Sequence, residues 1–146
     1  MLTTTTRIRV AWSHCDPAQI IFNPHYYIWM DASTHALLKQ AGLNLAEAIK
    51  DPLFRGFPLV TSSAQFHSPA VLDDEILLTS KVKKFGNTSF HVAHEFTRNN
   101  TLLCTGKEVR VWGGTDPESE SKLIAIPVPG WVRENLSRSD VVDVSV

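Results

Sequence analysis

The sequence predicts an α+β domain in which an antiparallel sheet of about five strands curls around one long helix. Only one segment, His25 to Ala41, holds a helical period over several turns. The rest of the chain is mostly short alternating runs separated by turn residues. The order is strand, helix, then a meander of strands.

Arg7 to Ser13 alternates, with Ile8, Val10 and Trp12 pointing one way and Arg7, Arg9 and Ala11 the other, as in a half-buried strand. His14 to Gln19 is a loop that turns at Asp16-Pro17, and Ile20-Ile21-Phe22 is a short apolar run. Asn23 suits a helix N-cap, and Pro24 the first helical position, where its missing N–H is not needed. Tyr26, Trp29, Met30, Ser33, Leu37 and Ala41 then form one stripe, and Gly42 stands where a helix C′ residue belongs. A short helical piece over Leu45 to Ile49 ends at Asp51-Pro52. The strands that follow are Phe57–Phe66, Glu75–Phe85, Ser89–Thr97 and Leu102–Trp112. In the third of these Phe90, Val92, His94 and Phe96 share a face, and Asn99-Asn100 signals a tight hairpin after it. Gly113 to Ser121 reads as a polar loop, Lys122 to Ile126 as a last strand and Pro129 to Leu136 as a terminal helix. The domain thus runs from 1 to 136. The tail from 137 to 146 alternates over Asp140 to Val146, either paired to a sheet edge or loose. A ferredoxin-like fold needs a second long helix that is not there. A cone-shaped fold of the cystatin type, with a ligand-binding role, stays open.

Size and charge narrow the function. A chain of 146 residues with 43% apolar content builds a core without disulfide or metal staples. A net charge of −1 and a pI near 6.6 lack the electrostatic footprint of a nucleic-acid binder. No apolar run reaches the ~20 residues of a membrane span. The threonine-rich start has no apolar core of a signal peptide. Cys15 and Cys104 form no CxxC pair and fit a reduced compartment, so a cytoplasmic protein acting on small molecules is the expectation.

The loop His14-Cys15-Asp16-Pro17-Ala18 carries the most chemistry. An Asp at a strand end beside apolar residues loses hydration, which makes its carboxylate a stronger nucleophile or base. The helix beginning at Pro24 offers orphan N–H groups and a positive dipole end to an oxyanion. The two parts together suit acyl transfer. An Asx turn closing the strand is the competing account of Asp16.

Residues Cys15-Asp16-Pro17-Ala18-Gln19-Ile20-Ile21-Phe22-Asn23-Pro24-His25-Tyr26-Tyr27 resemble the signature of the 4-hydroxybenzoyl-CoA thioesterase family of hotdog-fold acyl-CoA thioesterases. The likeness continues through Trp29, Asp31 and Ala32, then Pro58-Leu59-Val60, Asp73-Asp74 and Ser89-Phe90. It implies a single hotdog domain whose five-stranded sheet wraps the helix, and subunits joined as homodimers or homotetramers. It further implies an acyl-CoA thioester bound at the subunit interface. Asp16 would attack the thioester carbonyl or activate a water. The backbone N–H of Asn23 would hold the oxyanion, with His25 or Tyr26 as substitutes, since Pro24 cannot donate. Hydrolysis of this kind needs no cofactor and no metal, coenzyme A being part of the substrate. Gln19 stands where relatives commonly have Gly, and Asn23 where the aromatic-pocket relatives have Tyr. Two amides near the acyl group widen the expected acids to polar, small or substituted-aryl ones. They also motivate a second reading, an acyl-CoA-binding hotdog protein without catalysis.

The turn Lys83-Lys84-Phe85-Gly86-Asn87-Thr88-Ser89 is the candidate for the CoA phosphates, through Lys83, Lys84, Thr88 and Ser89, with a solvated hairpin as the equal alternative. Arg110 is a weaker candidate and reads as a surface residue. His91 and His94 point to opposite faces of a strand, while His14 and His25 flank the Asp16 loop without a metal-binding spacing. Cys15 points away from Asp16 and reads as a packed apolar residue. The four tryptophans read as core or subunit-interface aromatics.

Overall fold

The helical stripe becomes α1, Pro24–Gln40, in a computed structural model that describes residues 1–146. Tyr26, Trp29, Met30, Ser33, Leu37 and Ala41 are all buried, and Gly42 ends the helix with φ +104°, a conformation glycine adopts without strain. Asn23 departs from its expected part: its backbone is already helical and its side chain caps nothing. α2, Leu45–Ala48, is a single turn capped by the Asn44 side chain.

The sheet is built from β1 (Thr3–Arg9), β2 (Leu59–Phe66), β3 (Glu75–Phe85), β4 (Ser89–Arg98) and β5 (Thr101–Val111) in the order β2-β5-β4-β3-β1, all antiparallel neighbours. This is the expected five-stranded wrap around one helix. The hairpin at Asn99-Asn100 has both residues at positive φ, as its tight turn requires. Gly106 on β5 lets α1 come close, since a Cβ there would collide with the Met30 side chain.

Three expectations need correction. The first strand is Thr3–Arg9, earlier than the alternation from Arg7 to Ser13 implied. Ile8 and Val10 are buried as expected, but a 3-10 turn at Trp12–His14 takes the chain off the sheet and leaves Trp12 67% exposed. Gly113 to Ser121 is no loop: β6 (Gly113–Asp116) and β7 (Ser119–Ala125) form a separate hairpin. The tail is also placed. After α3 (Gly130–Ser137), β8 (Val141–Asp143) adds to β1 in parallel and makes the sheet six-stranded. Leu2 N–H donates to Leu136 O at 2.8 Å and Val144 N–H to Thr5 O at 2.8 Å, so the strand is anchored on both sides. β2 pairs only with β5 and leaves one sheet edge open. No helix is long and apolar enough to cross a membrane.

The core has two apolar clusters. One gathers Leu37, Leu38, Val82, Phe90, Val92 and Trp112 around the C-terminal half of α1. The other gathers Tyr26, Trp29, Met30, Leu78, Phe96 and Cys104 around its N-terminal half. Between them runs a buried polar belt. Ser33 donates to Ser80 at 2.7 Å, and the Ser80 hydroxyl meets His94 Nδ1 at 2.7 Å. Thr34 donates to Glu108 Oε2 at 2.6 Å. Arg110 grips Glu108 with two bonds, 3.0 and 2.9 Å, and reaches Asp31 on α1 at 2.5 Å. Arg110 is therefore not a surface residue; it is 3% exposed.

Burial alone would raise the Glu108 carboxyl. Hydrogen bonds from His94, Arg110 and Thr34, with the Arg110 charge, bring it down to about 2. A carboxyl depressed by folding stabilises the native state fully above its unfolded value of 4.5 and loses that contribution as pH falls toward 2. Urea melts should therefore show stability dropping across this window. Glu108→Gln should remove much of the drop and lower stability at pH 7 by about 3–5 kcal/mol, because the buried Arg110 loses its buried counter-charge and keeps only the exposed Asp31.

Candidate active site

The Asp16 loop is held at its base by backbone pairing. Cys15 and Ile21 form an isolated antiparallel bridge. Asp16 N–H donates to Ile20 O at 3.0 Å and Phe22 N–H to His14 O at 2.8 Å. Ile21 N–H donates to Ala70 O at 3.1 Å, which ties the loop to the segment after β2. Asp16 sits half-buried near the tip. Its Oδ1 accepts the Ala18 N–H at 2.8 Å in an Asx turn, and Oδ2 has no protein partner. The competing account of Asp16 thus describes one of its oxygens and leaves the other for chemistry.

Asp16 lines a cleft of about 390 Å³ with Ile20, Ile21, Asn23, Tyr26 and Phe66, closed by Ser68, Pro69 and Ala70. Residues 68–70 and Phe66 went unnoticed in the sequence, where nothing marks a strand end as a pocket wall. At the helix start, His25 N–H donates to Phe22 O and Tyr26 N–H to Asn23 O, both at 3.1 Å. Those two N–H groups are therefore occupied. The Asn23 N–H has no acceptor in the protein and is the donor left at this end of the cleft.

Other expected residues lie elsewhere. Gln19 is exposed and forms no wall of the cleft; it has φ +65°, left-handed for a residue with a Cβ. The His25 ring turns to His14 and Trp29, with centroids 5.1 and 6.0 Å away, and does not line the cleft. His14 Nδ1 accepts the Ala11 N–H at 2.9 Å, the role of a neutral imidazole; burial and His25 both hold its pKa low. No group of three His, Cys, Asp or Glu side chains comes together to hold a metal. Cys15 points its Sγ back to Ala11 O at 3.7 Å and packs against the apolar cluster. The thiol of Cys104 is pushed up to about 11 by burial and stays protonated. His67 borders the cleft at the end of β2, but its ring meets Thr105 at 3.2 Å, and Thr105 alternates with the inward-facing Cys104 and Gly106.

Lys83 and Lys84 are exposed at a bulge at the end of β3, and Thr88 and Ser89 follow in the turn. Arg133 on α3 secures this turn by donating to Gly86 O at 2.5 Å and Asn87 O at 2.8 Å. Within one chain the turn and the cleft lie at opposite ends of the sheet. At about 3.3 Å per residue, the stretch of β3 from Glu75 to Lys83 alone spans roughly 26 Å.

The profile of the thioesterase superfamily matches residues 18–105. The chain belongs to the thioesterase superfamily. It is 29% identical over 131 residues to the 4-hydroxybenzoyl-CoA thioesterase of Pseudomonas sp. (strain CBS-3), covering 86% of this chain and 91% of that one. Its structure resembles that of a mutant 4-hydroxybenzoyl-CoA thioesterase complexed with 4-hydroxybenzoyl-CoA, with a TM-score of 0.83, 28% identity and coverage of 92% of this chain and 99% of the other. A gentisyl-coenzyme A thioesterase matches with a TM-score of 0.76 and 29% identity over 92% of this chain and 99% of its own. The six-stranded architecture is thus a hotdog domain of this superfamily, with a strand added at the β1 edge.

Gln19 offers a check on the loop that does not depend on activity. Left-handed backbone strains a residue with a Cβ by roughly 1–2 kcal/mol. Gln19→Gly should raise stability by about 1 kcal/mol, read as a higher Tm and an unchanged denaturant slope.

Proposed function

We propose that this thioester hydrolase cleaves aryl- or short acyl-CoA thioesters to the free acid and CoA, with Asp16 as the catalytic carboxylate and the Asn23 N–H as the oxyanion donor. One observation carries the reading: a partner-free carboxylate oxygen and a partner-free backbone N–H line one largely apolar cleft. The acyl group lies against Ile20, Ile21, Phe66 and Ala70, which keep bulk water away. The thioester carbonyl oxygen accepts from Asn23, at the positive end of α1. Asp16 Oδ2 then attacks the carbonyl carbon. Collapse of the tetrahedral adduct expels the CoA thiolate, and water cleaves the mixed anhydride. Alternatively Oδ2 takes a proton from a water that attacks in its place. The matched relatives named for 4-hydroxybenzoyl-CoA and gentisyl-coenzyme A support an aromatic acyl group.

The functional unit is a dimer or a dimer of dimers. The open edge of β2 and the exposed Leu59, Val60 and Phe66 along it support this assembly. Phe66 lies at the cleft end of β2, and Leu59 pairs with Arg110 near the Ser89 turn. An antiparallel twofold pairing of β2 with β2 sets these ends side by side. The partner's phosphate-binding turn then approaches the cleft, which gives Lys83, Lys84, Thr88 and Ser89 their part in holding CoA. The free thiols of Cys15 and Cys104 support a cytoplasmic setting.

Asp16→Asn keeps the Asx turn and should fold as the parent does. Its kcat should fall about 10²–10⁴-fold in a thiol-release assay across benzoyl-, hydroxybenzoyl-, phenylacetyl- and aliphatic acyl-CoAs. Full turnover by the variant would overturn the assignment of Asp16. Saturable binding by the parent with no release would return the protein to the binding-only reading. Sedimentation should show a dimer or tetramer at micromolar concentration, and a strict monomer would remove the interfacial account of CoA binding.

A further inference from the structure

Tyr26 stands on the first turn of α1 and is 3% exposed. Edge-to-face contacts with Trp29, Phe66 and Phe96, at centroid distances of 5.8, 5.3 and 5.0 Å, fix its ring. The backbone N–H of Tyr26 is occupied by Asn23 O, so any role in the cleft belongs to the side chain. Its hydroxyl has no hydrogen-bond partner in the protein. The only fully sealed side-chain polar atom without a partner is Thr4 Oγ1, so the Tyr26 hydroxyl keeps contact with the cleft it lines.

The charged and titratable neighbours of the phenol do not take its proton. Cys104 is a neutral thiol, Asp74 Oδ2 accepts from Arg98 at 2.7 Å and from the Val71 N–H, and the phenol bonds to neither residue. Burial first, then Cys104, pushes the phenol itself up to about 12, so it remains a donor at any working pH. The ring extends from α1 toward Phe96 and Cys104 on the sheet, away from the Asn23 N–H at the helix start. Its hydroxyl therefore meets the far part of an acyl group rather than the thioester carbonyl. Around it the wall is mostly apolar, from Ile20, Ile21, Phe66, Pro69 and Ala70, with Ser68 at the rim and the His67 ring turned to Thr105.

We propose that the Tyr26 hydroxyl is the polar anchor of the acyl pocket. It donates a hydrogen bond to an oxygen borne by the acyl group beyond the thioester carbonyl, and so selects hydroxy- or keto-acyl thioesters over hydrocarbon ones of the same shape. This rests on the thioesterase reading above. A buried donor that a substrate satisfies favours that substrate, because the analogue lacking the oxygen leaves the donor unpaired.

The test compares kcat/KM for matched pairs: 4-hydroxybenzoyl- with benzoyl-CoA, and 3-hydroxybutyryl- and acetoacetyl- with butyryl-CoA. The parent should favour the oxygen-bearing member of at least one pair by about tenfold or more. Tyr26→Phe removes one oxygen atom and should collapse that ratio toward unity, with the larger loss falling on the oxygen-bearing member. A parent that does not discriminate overturns the proposal whether or not the variant folds. A variant that keeps the parental ratio, or loses all substrates equally, also overturns it. In each of these cases activity that depends on Asp16 would leave the thioesterase reading standing. A parent that hydrolyses none of the thioesters overturns both.

Discussion

The polar belt across the middle of the core sets where the helix lies on the sheet. Apolar contacts alone would let α1 slide, because they are non-directional and the clusters at its two ends are similar in kind. Ser33, Thr34 and Asp31 face Ser80 on β3 and Glu108 and Arg110 on β5, through bonds of 2.5–2.7 Å. A shift of α1 by one turn would break all of them and bury an unpaired carboxylate and guanidinium, which is strongly destabilising. Buried polar groups of this kind add little net stability over apolar ones, but they distinguish one register from its neighbours. The register they choose fixes the N-terminus of α1 over the Asp16 loop and Tyr26 against Phe66.

Much of this fold was legible because it rests on local signals. The stripe on α1, the alternation of Phe90, Val92, His94 and Phe96, and the Asn99-Asn100 turn each state their structure within a few residues. The belt was not legible. Glu108 and Arg110 occupy inward positions of β5 in phase with Cys104 and Gly106, but a charge there reads as a solvated face unless its partners are known. Those partners, Thr34 and Asp31, lie 74 and 79 residues away. Trp12 misled for the opposite reason: the alternation of Ile8 and Val10 continues through it, although the backbone has already left the sheet for a turn. The end of the tail alternates as a strand should, yet only the β1 edge decides whether it pairs.

The candidate site was legible in its loop and less so in its walls. An Asp before a Pro-initiated helix is a local pattern, and the loop presents Asp16 as that pattern implies. Gln19 is expected near the acyl group and the Lys83–Ser89 turn at the CoA phosphates, both from resemblance. Topology separates them: Gln19 faces solvent, and the turn is at the opposite end of the sheet. In the proposed dimer, pairing across the open edge of the eight-residue β2 would turn two ends of one sheet into neighbours.

Polarity is distributed unevenly over the cleft, and this constrains the reaction more than its volume does. At the helix start a backbone N–H and a carboxylate oxygen stand free, where the proposed mechanism develops charge on the attacked thioester. Both are held by backbone bonds, so neither needs to reorganise during the reaction. On the sheet side the Tyr26 phenol stands free beside Phe66 and Ala70, where the proposed reaction develops no charge. On the proposed reading a backbone donor serves catalysis and a side-chain donor serves recognition, which separates the two tasks. Substitution at the second can change which acid is released without touching the groups that release it.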